Sequence, residues 1–255
     1  MPRVRWVAVL LLAPVLVASA VAVPYAVRVG AFSSLDPSRL VPENWARLTL
    51  SKTDRQTTYN LVEVDSTVVV RAISDGGASG LVRRIQIDPS EHPILTWRWR
   101  VEDIIEAGNA FTKDGDDFAA RVYVSFDHDL GLGGRIKHAA LRALGYDDVP
   151  TRALNYVWAN RAPTDTTFAN AYTDWVMMHP VESGPARAGT WTTERRNVAA
   201  DYRAAFGEDP PAITGVAIMT DTDNTGSSVT AYYGDIVFRS AASPTPLPAD
   251  TVDSN

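Results

Sequence analysis

The sequence predicts an all-β fold, a jelly-roll-like antiparallel β-sandwich with two short accessory helices. Three observations carry that expectation. About nine short runs are rich in β-branched and aromatic residues, turn residues separate most of them, and one run alternates strictly between apolar and polar side chains. That run is Ile94–Val101 (ILTWRWRV), where Leu95, Trp97, Trp99 and Val101 fall on one face and Thr96, Arg98 and Arg100 on the other. A stripe of cations therefore lies opposite a stripe of aromatics.

The remaining strands follow from the same signals. Tyr59–Val64 and Thr67–Ile73 flank Asp65-Ser66, and Asp75-Gly76-Gly77 is a strong turn, so the two read as a meander. Leu81–Ile87 ends at Asp88-Pro89, where a chain leaves a sheet. Phe118–Phe126, Leu154–Ala159, Asp174–Val181, Ala212–Thr220 and Thr230–Phe238 complete the set. The two helices are expected at Gly134–Leu144, closed by Gly145, and at Thr193–Phe206, where Val198, Tyr202 and Phe206 recur at i, i+4 and i+8 before Gly207.

The two ends read differently from the middle. Arg3 and Arg5, an apolar run from Trp6 to about Ala22 and small residues at Ala18-Ser19-Ala20 have the three parts of a secretory signal peptide over residues 1–22, with a retained N-terminal anchor as the alternative. The expected location is periplasmic or secreted, with membrane contact only through a retained N-terminal segment. Residues 30–240 form the expected sandwich domain, and 241–255, with three prolines and no apolar periodicity, a disordered tail. Hydrophobic residues make up 45% of the 255, enough to bury a sizeable core without cysteine, of which there is none. That absence excludes thiol catalysis and thiolate metal sites. A net charge of −6 with no long basic run argues against nucleic acid as a partner.

Two loops and one helix start concentrate charge. Asp114-Gly115-Asp116-Asp117 stands where a loop enters the sheet, and Thr220–Gly226 (TDTDNTG) joins two strands; both suit turns, and the second also offers alternating oxygen ligands for a hard cation. Asp221, Asp223 and Asn224 are thus candidate calcium ligands, no cofactor being the alternative. Glu194, Arg195 and Arg196 open the expected second helix, where two cations oppose the helix dipole, so they are expected to serve an ion-pair network to Asp116, Asp117 or Asp221, or an anionic ligand. His92, His128, His138 and His179 have no metal-ligand spacing, and nucleotide fingerprints and G-x-S-x-G are absent.

LTWRWRV at 95–101, GDDFAARVYVSFD at 115–127, LNYVWA at 154–159, ERRNVAADYRAAFG at 194–207, ITGVAIMTDTDNTG at 213–226 and AYYGDIVF at 231–238 together resemble DUF3047, a family of uncharacterised, typically exported bacterial proteins. The strand order, closing with an Asp-rich loop and a strand ending in Asp-Ile-x-Phe, is also similar at fold level to galactose-binding-like jelly rolls, which host binding modules and enzymes alike. The leading functional expectation is a domain that binds carbohydrate or another polar ligand, with Trp97 or Trp158 for stacking and Asp117, Arg121 and Arg195 for polar contacts. The alternatives are a glycoside hydrolase or polysaccharide lyase using Asp116, Asp117, Glu194 and Asp221, and a structural component of the cell envelope.

Overall fold

A computed structural model describes residues 25–39, 42–50, 53–131, 134 and 151–241. The expected signal segment, most of the expected tail and all but Gly134 of the helix expected at Gly134–Leu144 lie outside these residues. Among them the chain forms thirteen strands in two stacked sheets. The first sheet has the order β11-β6-β13-β4-β3, built from Thr192–Asn197, Ile94–Val101, Ser228–Arg239, Thr67–Asp75 and Thr58–Val64, with β1 (Ala26–Gly30) on the far half of β13. The second has the order β2-β5-β12-β7-β8-β10-β9, built from Ala46–Thr49, Ala78–Ile87, Ile213–Asp221, Ala120–Phe126, Arg152–Ala159, Val176–Ser183 and Phe168–Ala169. All pairings are antiparallel except that of β8 with β10.

The sandwich is as expected; its edges are not. Beyond the nine expected strands lie β1, β2, β9 and β11, which are short or polar and carry little alternation. The largest change is at β11. Thr192–Asn197 pairs with β6 from Thr192 opposite Trp99 to Asn197 opposite Ile94, so Glu194, Arg195 and Arg196 lie on an edge strand, not at a helix start. The helix (α1, Val198–Phe206) begins only after Asn197, whose side chain accepts the Ala200 N–H, and it ends on Gly207 at φ 74°. The argument from the helix dipole therefore does not apply to Arg195 and Arg196.

Between the sheets the aromatic stripe of β6 meets the inward side of β8. Trp97 packs edge-on against Trp99 at 5.3 Å and against Tyr156 at 5.3 Å, and Trp99 lies 6.1 Å from Trp158. All four rings are buried. Two tyrosines then tie one sheet to the other by hydrogen bonds. Tyr59 of β3 donates its hydroxyl to the Ser79 carbonyl at 2.6 Å and accepts the Thr220 N–H at 3.1 Å. Tyr233 of β13 donates to the Met219 carbonyl at 2.6 Å and accepts the Arg121 N–H at 3.3 Å. These hydroxyls satisfy backbone groups of β5, β7 and β12 and fix which face of β13 turns inward.

Replacing Trp99 with Ala removes the ring at the middle of this stack, and a cost of about 3–5 kcal/mol is expected. Urea unfolding followed by circular dichroism checks it: a midpoint unchanged from wild type would mean that the inter-sheet stack does not carry stability.

Candidate functional site

The acidic loops converge, as the sequence allowed, on a buried arginine. Arg121 points to the outer side of the second sheet from β7, and the segment that leads into β7 folds over it, with the Phe118 ring 4.4 Å from the guanidinium carbon. Its Nε donates to Asp221 Oδ1 at 2.7 Å, Nη2 donates to Asp221 Oδ2 and to the Asp116 carbonyl, and Nη1 donates to the Tyr123 hydroxyl at 3.2 Å. Asp116 accepts the Asn170 amide at 3.1 Å on both oxygens. Asp117 accepts the backbone N–H groups of Asn224 at 3.2 Å and Thr225 at 2.7 Å, and so caps the turn between β12 and β13.

Arg121, Asp116, Asp117 and Asp221 are all buried, so the fork is a desolvated ion pair with its donors filled. Burial pulls on the Arg121 guanidinium, but the Asp221 and Asp116 carboxylates outweigh it and hold its pKa well above the ordinary value. Carboxylates outnumber cations here. Burial, followed by the Asp117 charge, pushes Asp223 up, and burial pushes Asp116 up against the pull of Arg121. One oxygen from each of Asp117, Asp221 and Asp223 lies within 4.8 Å of the others, which is a donor set a hard cation such as calcium could use. Asn224, expected beside them as a ligand, instead donates its amide to Asp117 at 3.1 Å and accepts the Tyr172 hydroxyl at 3.1 Å.

The other expected residues do not join this cluster. Trp97 and Trp158 are 2% and 1% exposed, in the core, so neither offers a ring face for stacking. Their inward direction follows from the pleat: each lies on the same side of its strand as the rest of the core stripe. Arg195 is exposed on the outer side of the first sheet, beside Thr96. Arg196 does form ion pairs, but with Asp201 through two bonds at 3.0 and 2.7 Å and with Asp165 at 3.3 Å, not with Asp116, Asp117 or Asp221.

Glu194 has a different surrounding. It accepts the Trp99 indole N–H at 3.2 Å and lies close enough to Glu182 of β10, which pairs with Arg187, to feel its charge. Burial, then the Glu182 charge, pushes the Glu194 carboxyl up to about 7, while its bonds from Trp99 and Thr192 pull it down. Nearby, His179 is buried, its Nδ1 is 3.0 Å from the Thr167 hydroxyl, and burial lowers it to about 4, so the ring is neutral at pH 7.

Sequence reasoning missed a row of arginines and aromatic rings on the outer side of the first sheet. On the outer side of the first sheet, Arg71 of β4 stands opposite Tyr232 of β13, and Tyr232 stands opposite Arg100 of β6. Trp191, just before β11, continues the row. The Arg100 guanidinium lies 5.0 Å over the Tyr232 ring, that of Arg98 lies 4.7 Å over Trp191, and the two rings are 6.2 Å apart. Arg98 can lie flat here because Gly234 has no side chain: a Cβ there would come within 2.4 Å of Arg98 Cγ. Arg28, opposite Val237, and Arg195, opposite Thr96, share this face. The Nε groups of Arg71 and Arg100 are buried yet lack a hydrogen-bond partner among the described residues. The cationic half of the row was legible in β6; the sheet order that puts Arg71, Tyr232 and Trp191 beside it was not.

The family whose description reads "Protein of unknown function (DUF3047)" matches residues 43–237. The chain belongs to that family. The matched span of this DUF3047 chain contains the Arg121 cluster, the Glu182–Glu194 pair and the arginine–aromatic row. No curated protein matches the chain. Among solved structures it is similar to a glycoside hydrolase domain, Endo-D, from Streptococcus pneumoniae R6, at 10% identity and a TM-score of 0.36, over 76% of this chain and 21% of that one. It is also similar to a β-1,2-glucanase from Parabacteroides distasonis, at 14% identity and a TM-score of 0.40, over 79% and 24%. The Emp47p carbohydrate recognition domain aligns at 10% identity and a TM-score of 0.40, over 85% of this chain and 95% of that one. The DUF3047 chain spans about a quarter or less of the first two.

A carboxyl that keeps its proton to higher pH in the fold than in the unfolded chain stabilises the fold at low pH and loses that contribution as pH rises. For Glu194 the window runs from its ordinary 4.5 to about 7. Glu194→Gln is therefore expected to raise stability at pH 8 by about 2–3 kcal/mol and to leave it unchanged at pH 4. Thermal unfolding of both proteins across pH 4–8 checks this; an equal effect at both ends would contradict it.

Proposed function

We propose that this protein is a binding domain for carbohydrate or another polar ligand, acting in the periplasm or outside the cell, and that its ligand face is the outer side of the first sheet. The observation that carries this reading is the row of Arg71, Tyr232, Arg100 and Trp191 across adjacent strands, with Arg98 beside it. Half-buried aromatic rings supply the flat apolar surface that sugar rings stack on, and the guanidinium groups supply donors in a fixed planar array. The rings are held by neighbours on both sides, so little rotamer freedom is left to lose on binding. Export is supported by the basic start and apolar run of residues 1–22.

The Arg121 cluster serves this reading as a structural tie, with calcium at Asp117, Asp221 and Asp223 as a stabilising ligand that is compatible with the donor set. Its arginine spends its donors on Asp221, Asp116 and Tyr123, whereas on the outer face the Nε groups of Arg71 and Arg100 have no partner among the described residues. For that reason the second carboxylate-based reading, a hydrolase, has less to stand on than a binding face.

A glycan array probed with the full chain tests the proposal. Binding is expected for wild type, with a loss of about tenfold or more in Trp191→Ala and in Tyr232→Ala at unchanged melting temperature, and no loss in Asp223→Ala. A folded wild-type protein that binds no glycan would overturn the carbohydrate form of this reading.

A further inference from the structure

Charge on this molecule is unevenly distributed. The chain as a whole carries −6, yet the outer side of the first sheet presents Arg28, Arg71, Arg98, Arg100, Arg195 and Arg239 against Asp75, Glu102 and Asp235, and Asp75 is itself paired with Arg55. Asp235 is occupied by the backbone N–H and hydroxyl of Ser33, at 2.8 and 2.7 Å, and Glu102 by Arg100 alone. A basic face on an acidic protein concentrates positive potential where a ligand would dock, because the opposing charges lie elsewhere.

The arginines are also unusually well fixed. Arg98 and Arg100 are stacked on rings, and Gly234 leaves the space that Arg98 occupies. Stacking uses the flat face of a guanidinium and leaves its edge, with up to five N–H donors, for a partner in the ring plane. At Arg71 and Arg100 the Nε–H is buried without a hydrogen-bond partner among the described residues, and at Arg100 the adjacent Nη2 donates to Glu102, which a ligand carboxylate would have to displace. An Nε–H and its neighbouring Nη–H together form one of the two edges that grip a carboxylate with parallel bonds.

Spacing points to a repeated acceptor, not a single one. Arg98 and Arg100 are two residues apart on one strand face, roughly 6.5–7 Å, and Arg71 and Arg100 are two strands apart, roughly 9.5 Å. A ligand that engages all three needs several acceptors along its length, with flat apolar surface between them for Tyr232 and Trp191.

We propose that the outer face of the first sheet takes a carboxylated polysaccharide, its uronate carboxylates on the guanidinium edges of Arg71, Arg98 and Arg100 and its sugar rings against Trp191 and Tyr232. This rests on the reading of that face as the carbohydrate-binding one. A polyphosphate chain such as nucleic acid has a higher density of charge and meets the net negative charge of the rest of the protein at long range, which favours the sparser carboxylate polymer.

The test is affinity electrophoresis and calorimetric titration of the full chain with polygalacturonate, alginate and hyaluronan, with fully methyl-esterified polygalacturonate and double-stranded DNA as controls. Expected is binding to at least one of the three acidic polymers, weakened by salt, reduced at least tenfold in Arg98→Gln and in Arg100→Gln, and absent for the esterified polymer. Near-wild-type melting temperatures show that the variants fold. Equal binding to the esterified polymer would overturn the carboxylate inference and leave the carbohydrate reading standing. Tighter binding to DNA than to every acidic polymer, or Arg98→Gln and Arg100→Gln without effect, would also overturn it. No binding to any of the acidic polymers by the folded protein would overturn the carboxylate inference, and the glycan array then decides the carbohydrate reading separately.

Discussion

The pleat of one strand orients everything else. Along β6 the side chains alternate, so burying Leu95, Trp97, Trp99 and Val101 between the sheets obliges Thr96, Arg98 and Arg100 to face outward. A shift of one residue in register would take Trp97 and Trp99 out of the core and bury Arg98 and Arg100 there without partners. The core and the cationic face are thus two consequences of a single constraint, and the neighbours of β6 inherit it. Tyr233 of β13 turns inward to tie the sheets, and that fixes Tyr232 outward, beside Arg100.

Cross-sheet polar ties supplement the apolar core of this cysteine-free chain. Tyr59 and Tyr233 reach from the first sheet to backbone groups of the second, and Arg121 joins the end of β12 to the segment that covers it. Such ties are costly to break, because each would leave a buried polar group unpaired. The Arg121 cluster belongs to this set: its carboxylates gather because the strands that carry them are neighbours, with Met219 of β12 in register with Arg121 of β7. The excess of carboxylates over cations at Asp117, Asp221 and Asp223 is what leaves room for a cation there.

What could be read from the sequence was whatever a single strand or turn encodes. Alternation in Ile94–Val101 located the core stripe and the arginine stripe, and the turn chemistry of Asp116, Asp117, Asp221 and Asp223 marked two loops that do meet. The helix at Val198–Phe206 showed through its spacing, although its start was placed too early: Thr192–Asn197 is an edge strand whose inward side holds Glu194 and Arg196 rather than apolar residues, so it has no hydrophobic alternation to announce it. Stacking roles for Trp97 and Trp158 failed for a related reason. A tryptophan within a strand looks the same in sequence whether its face turns to the core or to solvent, and only the pairing of sheets decides. The row of Arg71, Tyr232, Arg100 and Trp191 draws on residues up to 161 positions apart, and no local pattern contains it.

That row leaves the Nε groups of Arg71 and Arg100 without a partner among the described residues. Side-chain resonances report directly on whether a ligand uses them. In a titration of the isotopically labelled chain with an acidic oligosaccharide, followed by nuclear magnetic resonance, shifts are expected at the Trp191 indole N–H and at the Nε–H groups of Arg71, Arg98 and Arg100. The buried indoles of Trp97, Trp99 and Trp158 and the amides of Asp223–Thr225 are expected to stay in place. Shifts confined to the 222–226 loop, or to the Glu182–Glu194 edge, with the arginine row unmoved, would contradict the assignment of the outer face as the binding surface.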